Sequence, residues 1–210
     1  MKYIIMCGGR YRWDPPKQMT KIHGEPIVTR TIRLLRINGI DDIAISANDD
    51  RFSAFNVPIL THRNTFDADG DGSWAEAFYP TYEPVCYIMG DVVFSPEAIK
   101  RIVTEETDSI QFFASSPPFD PRYIKLWAEP FAFKVVNQQR FRAAVEYVIT
   151  NEASGVFRRR PIAWELWQVI NGENVNTINY SNYVAINDYT CDIDDPRDAE
   201  KFEMVVPCGS

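Results

Sequence analysis

Met1-Lys2-Tyr3-Ile4-Ile5-Met6-Cys7-Gly8-Gly9-Arg10-Tyr11-Arg12 opens the chain, followed closely by Pro15-Pro16-Lys17 and Ile22-His23-Gly24-Glu25-Pro26-Ile27. An apolar run of strand length ends in two glycines and basic residues. A buried strand that feeds a Gly-rich turn can hold phosphate, because backbone without Cβ lets several N–H groups approach one anion. Cys7, Gly8, Gly9 and Arg10 are therefore candidate nucleotide contacts. Arg12 and Lys17 are candidates for charge-assisted contacts to the phosphate oxygens. A nucleoside triphosphate is the first ligand this opening implies.

Outward from that loop, Ile27–Asn38 carries apolar residues at helical spacing and Gly39 stops it. Asp42–Ala47 reads as a second strand. Strand, helix, strand in this order is a βαβ unit and implies a parallel sheet. Val57–Leu60 is expected as a short third strand, Ser73–Tyr82 as a helix, and Val85–Met89 as a fourth buried strand ending at Gly90-Asp91. Pro96–Glu105 reads as a helix with Ser95 at its N-cap and proline at its first position. Ser109–Ala114 is a fifth strand. Pro117, Pro118, Pro121 and Pro130 then imply loops around an edge strand near Ala132–Val136. Helices are expected at Gln138–Val148, Ala163–Ile170 and Asp195–Met204, and short strands at Val175–Asn179 and Tyr183–Ile186. Alternating strands and helices give an α/β fold. No internal repeat or low-complexity segment interrupts it.

Composition excludes several classes. Apolar residues make up 45% of the 210, enough for a sizeable core. The net charge of −7 argues against nonspecific nucleic-acid binding, which rests on clustered Lys and Arg. The one basic run, Arg158-Arg159-Arg160, reads as a solvated loop or helix end, or more sharply as a clamp for an anionic substrate. Cys7, Cys86, Cys191 and Cys208 form no CxxC pair, so a zinc site is not expected. The first three lie in or beside apolar runs, where cysteine behaves as a small hydrophobe; they are read as reduced and the chain as cytoplasmic. No secretory leader and no bilayer-spanning run is expected.

Three segments, in order, resemble the sugar-nucleotidyltransferase (pyrophosphorylase) superfamily, the group that includes cytidylyltransferases of the phosphocholine type and MobA-like NTP transferases. The first is Gly8-Gly9-Arg10-Tyr11-Arg12 with Pro16-Lys17 and Gly24-Glu25-Pro26-Ile27, similar to that family's Gly-rich loop and "PK…G.PI" signature. The second is Ile88-Met89-Gly90-Asp91, similar to its magnesium-binding "GD". The third is Asp192-Ile193-Asp194-Asp195-Pro196-Arg197-Asp198, similar to its "DIDTPED" run. The resemblance implies a Rossmann-like, GT-A-type nucleotidyltransferase fold, a mixed but mostly parallel sheet flanked by helices. It spans one domain, 1–210, with the acceptor side at approximately 115–185. Tyr11 stands where the family has a third glycine, and Arg10 is the alternative to Arg12 as the family arginine.

The residues and the resemblance together nominate a site. Asp91, at the end of a parallel strand, faces the crevice where α/β proteins bind ligands. Its two readings are a Mg2+ ligand or a turn and N-cap aspartate. Asp192 and Asp194 alternate across Ile193 and so share one face of an extended strand, where two carboxylates repel unless a cation lies between them. Asp194 is the favoured second metal ligand, with Asp192 beside it. Asp195, before Pro196, is expected as the N-cap of the last helix. Lys17 would stabilise the negative charge that builds on transferred phosphate. Ser73 would contact the base or acceptor by resemblance. Glu129 and Trp127 are candidate acceptor contacts, Glu129 alternatively a loop acid. Asp67-Ala68-Asp69-Gly70-Asp71-Gly72 starts like a calcium loop, but Phe78 stands where the bidentate glutamate belongs. Trp74, Trp127, Trp164, Trp167 and Tyr123 suggest a cation cage, although three-residue spacing makes Trp164 and Trp167 core residues first. His23 and His62 have no ligand or triad spacing.

The expected activity is Mg2+-dependent transfer of a nucleoside monophosphate from an NTP to a small phosphorylated or phosphonate acceptor, with release of pyrophosphate. CTP is favoured by resemblance. A homo-oligomer is compatible with this reading; nucleic acid and membrane partners are not expected. The alternatives are a GT-A glycosyltransferase that consumes a nucleotide sugar and a noncatalytic nucleotide-binding protein.

Overall fold

The computed structural model describes residues 1–8, 14–62, 72–116 and 128–207. From the N-terminus the elements are β1 (Lys2–Met6), β2 (Lys21–Ile22), β3 (Glu25–Pro26), α1 (Ile27–Ile37), β4 (Ile43–Ala47), β5 (Ile59–Thr61), β6 (Val85–Met89), β7 (Val92–Val93) and α2 (Pro96–Thr104). They continue with β8 (Ile110–Ala114), β9 (Pro130–Val135), α3 (Gln138–Asn151), α4 (Ala163–Asn171), β10 (Val184–Ala185), β11 (Cys191–Asp192) and α5 (Asp198–Val205). Seven strands form the main sheet in the order β10-β8-β9-β6-β1-β4-β5. β9 alone in that sheet runs against its neighbours; the other strands are mutually parallel.

The central strands read as unbroken apolar runs because helices cover both faces of a parallel sheet. β4 and β6 are buried at every position, and β1 from Tyr3 onward. α1 ends where predicted, with Gly39 at φ +81 providing the left-handed turn. Ser95 caps α2: its Oγ accepts the Ala98 N–H at 2.9 Å and donates to Asp188 Oδ2 at 2.5 Å. That cap leaves the N-cap reading of Asp91 without a helix. Aromatic rings fill the core beneath β8 and β9. Phe112 stacks on Phe133 at 4.4 Å, and Trp164 and Trp167, both buried, pack against Phe112. Full burial of one such ring contributes roughly 1.5–3 kcal/mol.

Five expectations are corrected. Ser73–Tyr82 is not a helix; a 3-10 turn covers Trp74–Ala77 and Phe78 is extended. The Phe78 ring points into the core against Tyr87, Phe133 and Phe141, and Pro80 forbids helical backbone just before it. β9 is an interior strand, not an edge. Its proline lies at its first residue, where no ladder is broken. β5 begins only after Pro58. Val175–Asn179 is irregular, and the Gln168 side-chain amide donates to Thr177 O at 2.8 Å. The last helix starts at Asp198, and Asp195 is not its N-cap. Asp195 instead accepts the Arg197 N–H at 2.9 Å, while the Asp198 carboxylate accepts the N–H groups of Asp194 and Asp195.

Candidate active site

The ends of β1 and β6 meet at the C-terminal edge of the sheet. Gly90 N–H donates to Met6 O at 3.1 Å. A Cβ on Gly90 would lie 2.3 Å from Met6 O and 2.8 Å from Cys7 Sγ, so only glycine lets the two strands approach this closely. Cys7 is buried there; burial first, and the nearby Asp91 charge second, push its thiol pKa well up. This cysteine is a packing residue beside the loop and not a ready thiolate. Gly8 follows it; Gly9, Arg10, Tyr11 and Arg12 lie outside the described residues.

Asp91 follows Gly90 and is met by Lys17. The lysine begins a 3-10 turn, Lys17–Met19, in which Met19 N–H donates to Pro16 O and Thr20 N–H to Lys17 O. Gln18 is buried in that turn. Lys17 Nζ contacts Asp91 Oδ2 and lies 3.5 Å from Asp194 Oδ1. Burial opposes the ammonium charge, but Asp91, Asp192 and Asp194 together outweigh it and raise the lysine pKa. Lys17 therefore stays protonated.

Asp192 and Asp194 arrive from the far end of the chain. β11 pairs antiparallel with β7, setting Asp192 opposite Val92, and Ile193 N–H donates to Asp91 O at 2.9 Å. Ile193 is buried with Val93, Cys191 and Phe202 in a second small core. The alternation expected from the sequence thus holds, Ile193 inward and the flanking carboxylates together on the other side. Asp198, itself buried, fixes the turn that presents Asp194 by accepting the Asp194 N–H at 3.1 Å and the Asp195 N–H at 3.0 Å.

Glu129 joins this group. One carboxylate oxygen each from Glu129, Asp192 and Asp194 lie within 4.8 Å of one another. The sequence reading kept Glu129 apart, as an acceptor contact; the fold puts it beside the proposed metal ligands. Its place follows from the inverted strand. β6 pairs with β9 so that Ile88 faces Ala132, and continuing this register by three residues sets Glu129 level with Asp91. Its backbone is fixed by Ser115: Glu129 N–H donates to Ser115 Oγ at 2.7 Å and Ser115 N–H to Glu129 O at 2.9 Å. The indole N–H of Trp164 donates to Ala128 O at 3.2 Å. A run of hard oxygen donors converging at one sheet edge fits a divalent cation such as Mg2+, which takes one or two carboxylates and shares the rest of its shell with water and phosphate.

The remaining candidates have their own partners or lie outside the described residues. Ser73 is buried and caps the Trp74–Ala77 turn, its Oγ accepting the Ala75 N–H at 3.4 Å. Arg159 pairs with Glu165 at 2.6 Å and Arg160 with Glu152 at 3.0 Å, so these two arginines hold protein carboxylates. Trp127, Tyr123 and most of the calcium-like loop lie outside the described residues. Asp198 was missed as a positioning group; its signal was a short acid four residues after Asp194 at a helix start, where free amides cluster.

The family model of the MobA-like NTP transferase domain matches residues 3–153, more than half of the chain. No curated protein matches it. Among solved structures, the inositol-1-phosphate CTP transferase of T. maritima is 17% identical with a TM-score of 0.56, covering 99% of this chain and 98% of that one. HddC of Yersinia pseudotuberculosis, solved with GMP-PN, is 14% identical with a TM-score of 0.52, covering 97% and 98%. A Bacillus anthracis protein assigned as a glucose-1-phosphate thymidylyltransferase, solved with sucrose, is 17% identical with a TM-score of 0.58, covering 100% and 98%. At these identities the structural likeness establishes the fold.

Proposed function

The chain belongs to the MobA-like NTP transferase family, and on that premise we propose that it moves a nucleoside monophosphate, CMP by preference, from its triphosphate to a small phosphorylated or phosphonate acceptor, releasing pyrophosphate in a Mg2+-dependent reaction. The observation that carries this reading is the Lys17 ammonium seated on Asp91 with Asp194 at 3.5 Å, at the edge where parallel strands end. The preference for CTP rests on the resemblance of Asp192-Ile193-Asp194 to the corresponding run of cytidylyltransferases of the phosphocholine type.

In this reading the Gly8-Gly9 segment, with Arg10 or Arg12, holds the phosphates through backbone N–H groups and charge. Lys17 meets the negative charge that builds on the α-phosphate and the leaving pyrophosphate. Asp91 and Asp194 would hold the cation, with Asp192 beside them; when bound, it supplies Lewis-acid charge to the same oxygens. Glu129 and Trp127 orient the acceptor, and Ser73 borders the nucleotide. The acceptor's own phosphate is already anionic, so positioning for in-line attack takes the place of a general base. The acceptor side corresponds to approximately 115–185 of one domain, 1–210. We read the compartment as cytoplasmic from the buried thiols of Cys7, Cys86 and Cys191. No helix among the described residues is long and apolar enough to cross a membrane.

The test is a thermal-shift panel of ATP, CTP, GTP and UTP, each with and without Mg2+, on the parent and on Asp91→Asn. A ligand at a hundred times its Kd stabilises the native state by about 2.7 kcal/mol. We expect a Mg2+-dependent rise, largest with CTP, that Asp91→Asn abolishes together with turnover while its own ligand-free melting stays close to the parent's. Activity near the parent level in Asp91→Asn would sink the metal assignment. No shift with any nucleotide would put the nucleotide-sugar alternative first.

A further inference from the structure

Lys17 stands where the proposed cation would bind. Its ammonium contacts Asp91 Oδ2, lies 3.5 Å from Asp194 Oδ1, and so holds both carboxylates that the function above assigns to the metal. The inference rests on that reading and concerns the order in which the site fills. Asp91, Asp194 and Asp192 converge at this edge, with Glu129 beside the last two. Like charges this close require a counter-ion. Lys17 supplies one, on a 3-10 turn closed by the Met19 N–H bond to Pro16 O and the Thr20 N–H bond to Lys17 O.

A divalent ion and an ammonium repel at contact range, so carboxylate oxygens that hold the ammonium bind the divalent ion more weakly. The lysine stem, by contrast, can carry its charge to a new place without moving its backbone, since it has four rotatable carbons. A triphosphate bound beside Gly8 would offer that place, because its oxygens accept an ammonium as readily as a carboxylate does.

We propose that Lys17 is a built-in counter-ion that occupies the metal carboxylates of the empty enzyme and is displaced by the incoming cation onto the triphosphate. Bare cation must dislodge the lysine with nothing to receive it. A cation that arrives with a triphosphate brings the acceptor for the displaced charge. Metal and nucleotide therefore bind as a coupled pair, and the coupling is reciprocal: each raises the affinity of the other by the same factor. The lysine guards the site against unproductive cation binding and is delivered to the phosphates only when both ligands are present.

The experiment is a Mn2+ titration followed by electron paramagnetic resonance of the free ion, with and without CTP, ATP, GTP or UTP and with no acceptor. It compares the parent with Lys17→Met and Lys17→Arg. Lys17→Met should bind bare Mn2+ at least about tenfold more tightly than the parent, and the gain that nucleotide gives to Mn2+ affinity should shrink by a similar factor, within the usual 5–150-fold range of coupling between sites. Lys17→Arg, which keeps the charge, should retain the parent's weak bare-Mn2+ binding. Bare Mn2+ affinity in Lys17→Met equal to or weaker than the parent's would overturn the proposal. If Lys17→Met melts as an unfolded chain, Lys17→Gln carries the same comparison. A parent that binds Mn2+ with nucleotide, beside a Lys17→Met of unchanged bare affinity, overturns the displacement alone. A parent that binds no Mn2+ under any condition removes the metal reading and the proposal with it.

Discussion

The two halves of the main sheet deliver residues to one edge by opposite means. In the β5-β4-β1-β6 half every strand is parallel, and the chemistry lies after strand ends: Gly8 after β1 and Asp91 after β6. In the β10-β8-β9 half, β9 runs the other way, so it is the residue before its start, Glu129, that reaches the same edge. The third contribution comes from neither half. Asp192 is laid against β7 by a two-residue antiparallel ladder, and Asp194 follows in the turn that Asp198 holds. A site that draws carboxylates from a strand end, a strand beginning and a distant ladder can specialise each supply line separately. In the function proposed above, the parallel half and the β11 end would handle the triphosphate and its cation, and the inverted strand the acceptor.

The hardest blow to that division is Asp194→Asn. Asp194 is largely exposed, its side chain at 54%, so the change leaves the core alone. In the proposed function Asp194 would hold a Lewis-acid cation, whose loss removes several kcal/mol of transition-state stabilisation, and about 4 kcal/mol corresponds to roughly a thousandfold in rate. We expect kcat/KM to fall by about that factor while the melting temperature moves by no more than a few degrees. Turnover within tenfold of the parent's would show that the C-terminal ladder is outside the reaction centre.

Glu129→Gln sharpens the comparison instead of breaking it. The amide keeps the size of the side chain and the backbone bonds to Ser115. If β9 serves the acceptor, KM for the acceptor rises about 10–100-fold, while Mn2+ affinity measured without acceptor changes by less than about threefold. A tenfold loss of Mn2+ affinity would move Glu129 into the metal set with Asp192 and Asp194, whose oxygens lie within 4.8 Å of its own. The inverted strand would then serve both ligands.

The same contrast explains what could be read from the sequence. β1, β4 and β6 are continuous apolar runs bounded by glycine and acid, and periodicity alone located them and the Gly90-Asp91 end. The alternation of Asp192 and Asp194 around Ile193 was legible for the same reason: a strand's two faces are written residue by residue. The direction and neighbours of β9 were not legible, because pairing is a tertiary property and the prolines around it look the same at an edge or at a strand start. Glu129 was therefore nominated without its neighbours. The Ser73–Tyr82 error has a similar root. Phe78 is drawn into contact with Phe141 at 5.0 Å, a partner more than sixty residues away that outweighs local helix spacing.

The smallest effect tests the least visible part of the site, the turn that presents Asp194. Burial disfavours the charge of Asp198, but the bond from Lys201 at 2.7 Å and the N–H groups of Asp194 and Asp195 more than offset this and hold its pKa below the ordinary carboxylate value. A carboxylate lowered in the folded state stabilises the fold above its unfolded pKa of about 3.9 and loses that contribution as pH falls through the lower, folded value. Asp198→Asn keeps an oxygen that can accept the two amides but removes the charge. Hydrogen bonds to a charged group contribute about 1.5–3 kcal/mol, which sets the expected loss of stability in urea unfolding at pH 7. As pH falls from about 4 through the lower, folded value, the parent and variant curves should converge, because the parent's own carboxylate becomes neutral. A constant gap across that range would mean that Asp198 acts through packing alone. Mn2+ affinity in the presence of CTP, measured at pH 7, should fall less than tenfold, since Asp198 shapes the backbone of a ligand and touches no ligand itself. A fall as large as that of Asp194→Asn would place the rigidity of this turn on a par with the carboxylate it presents.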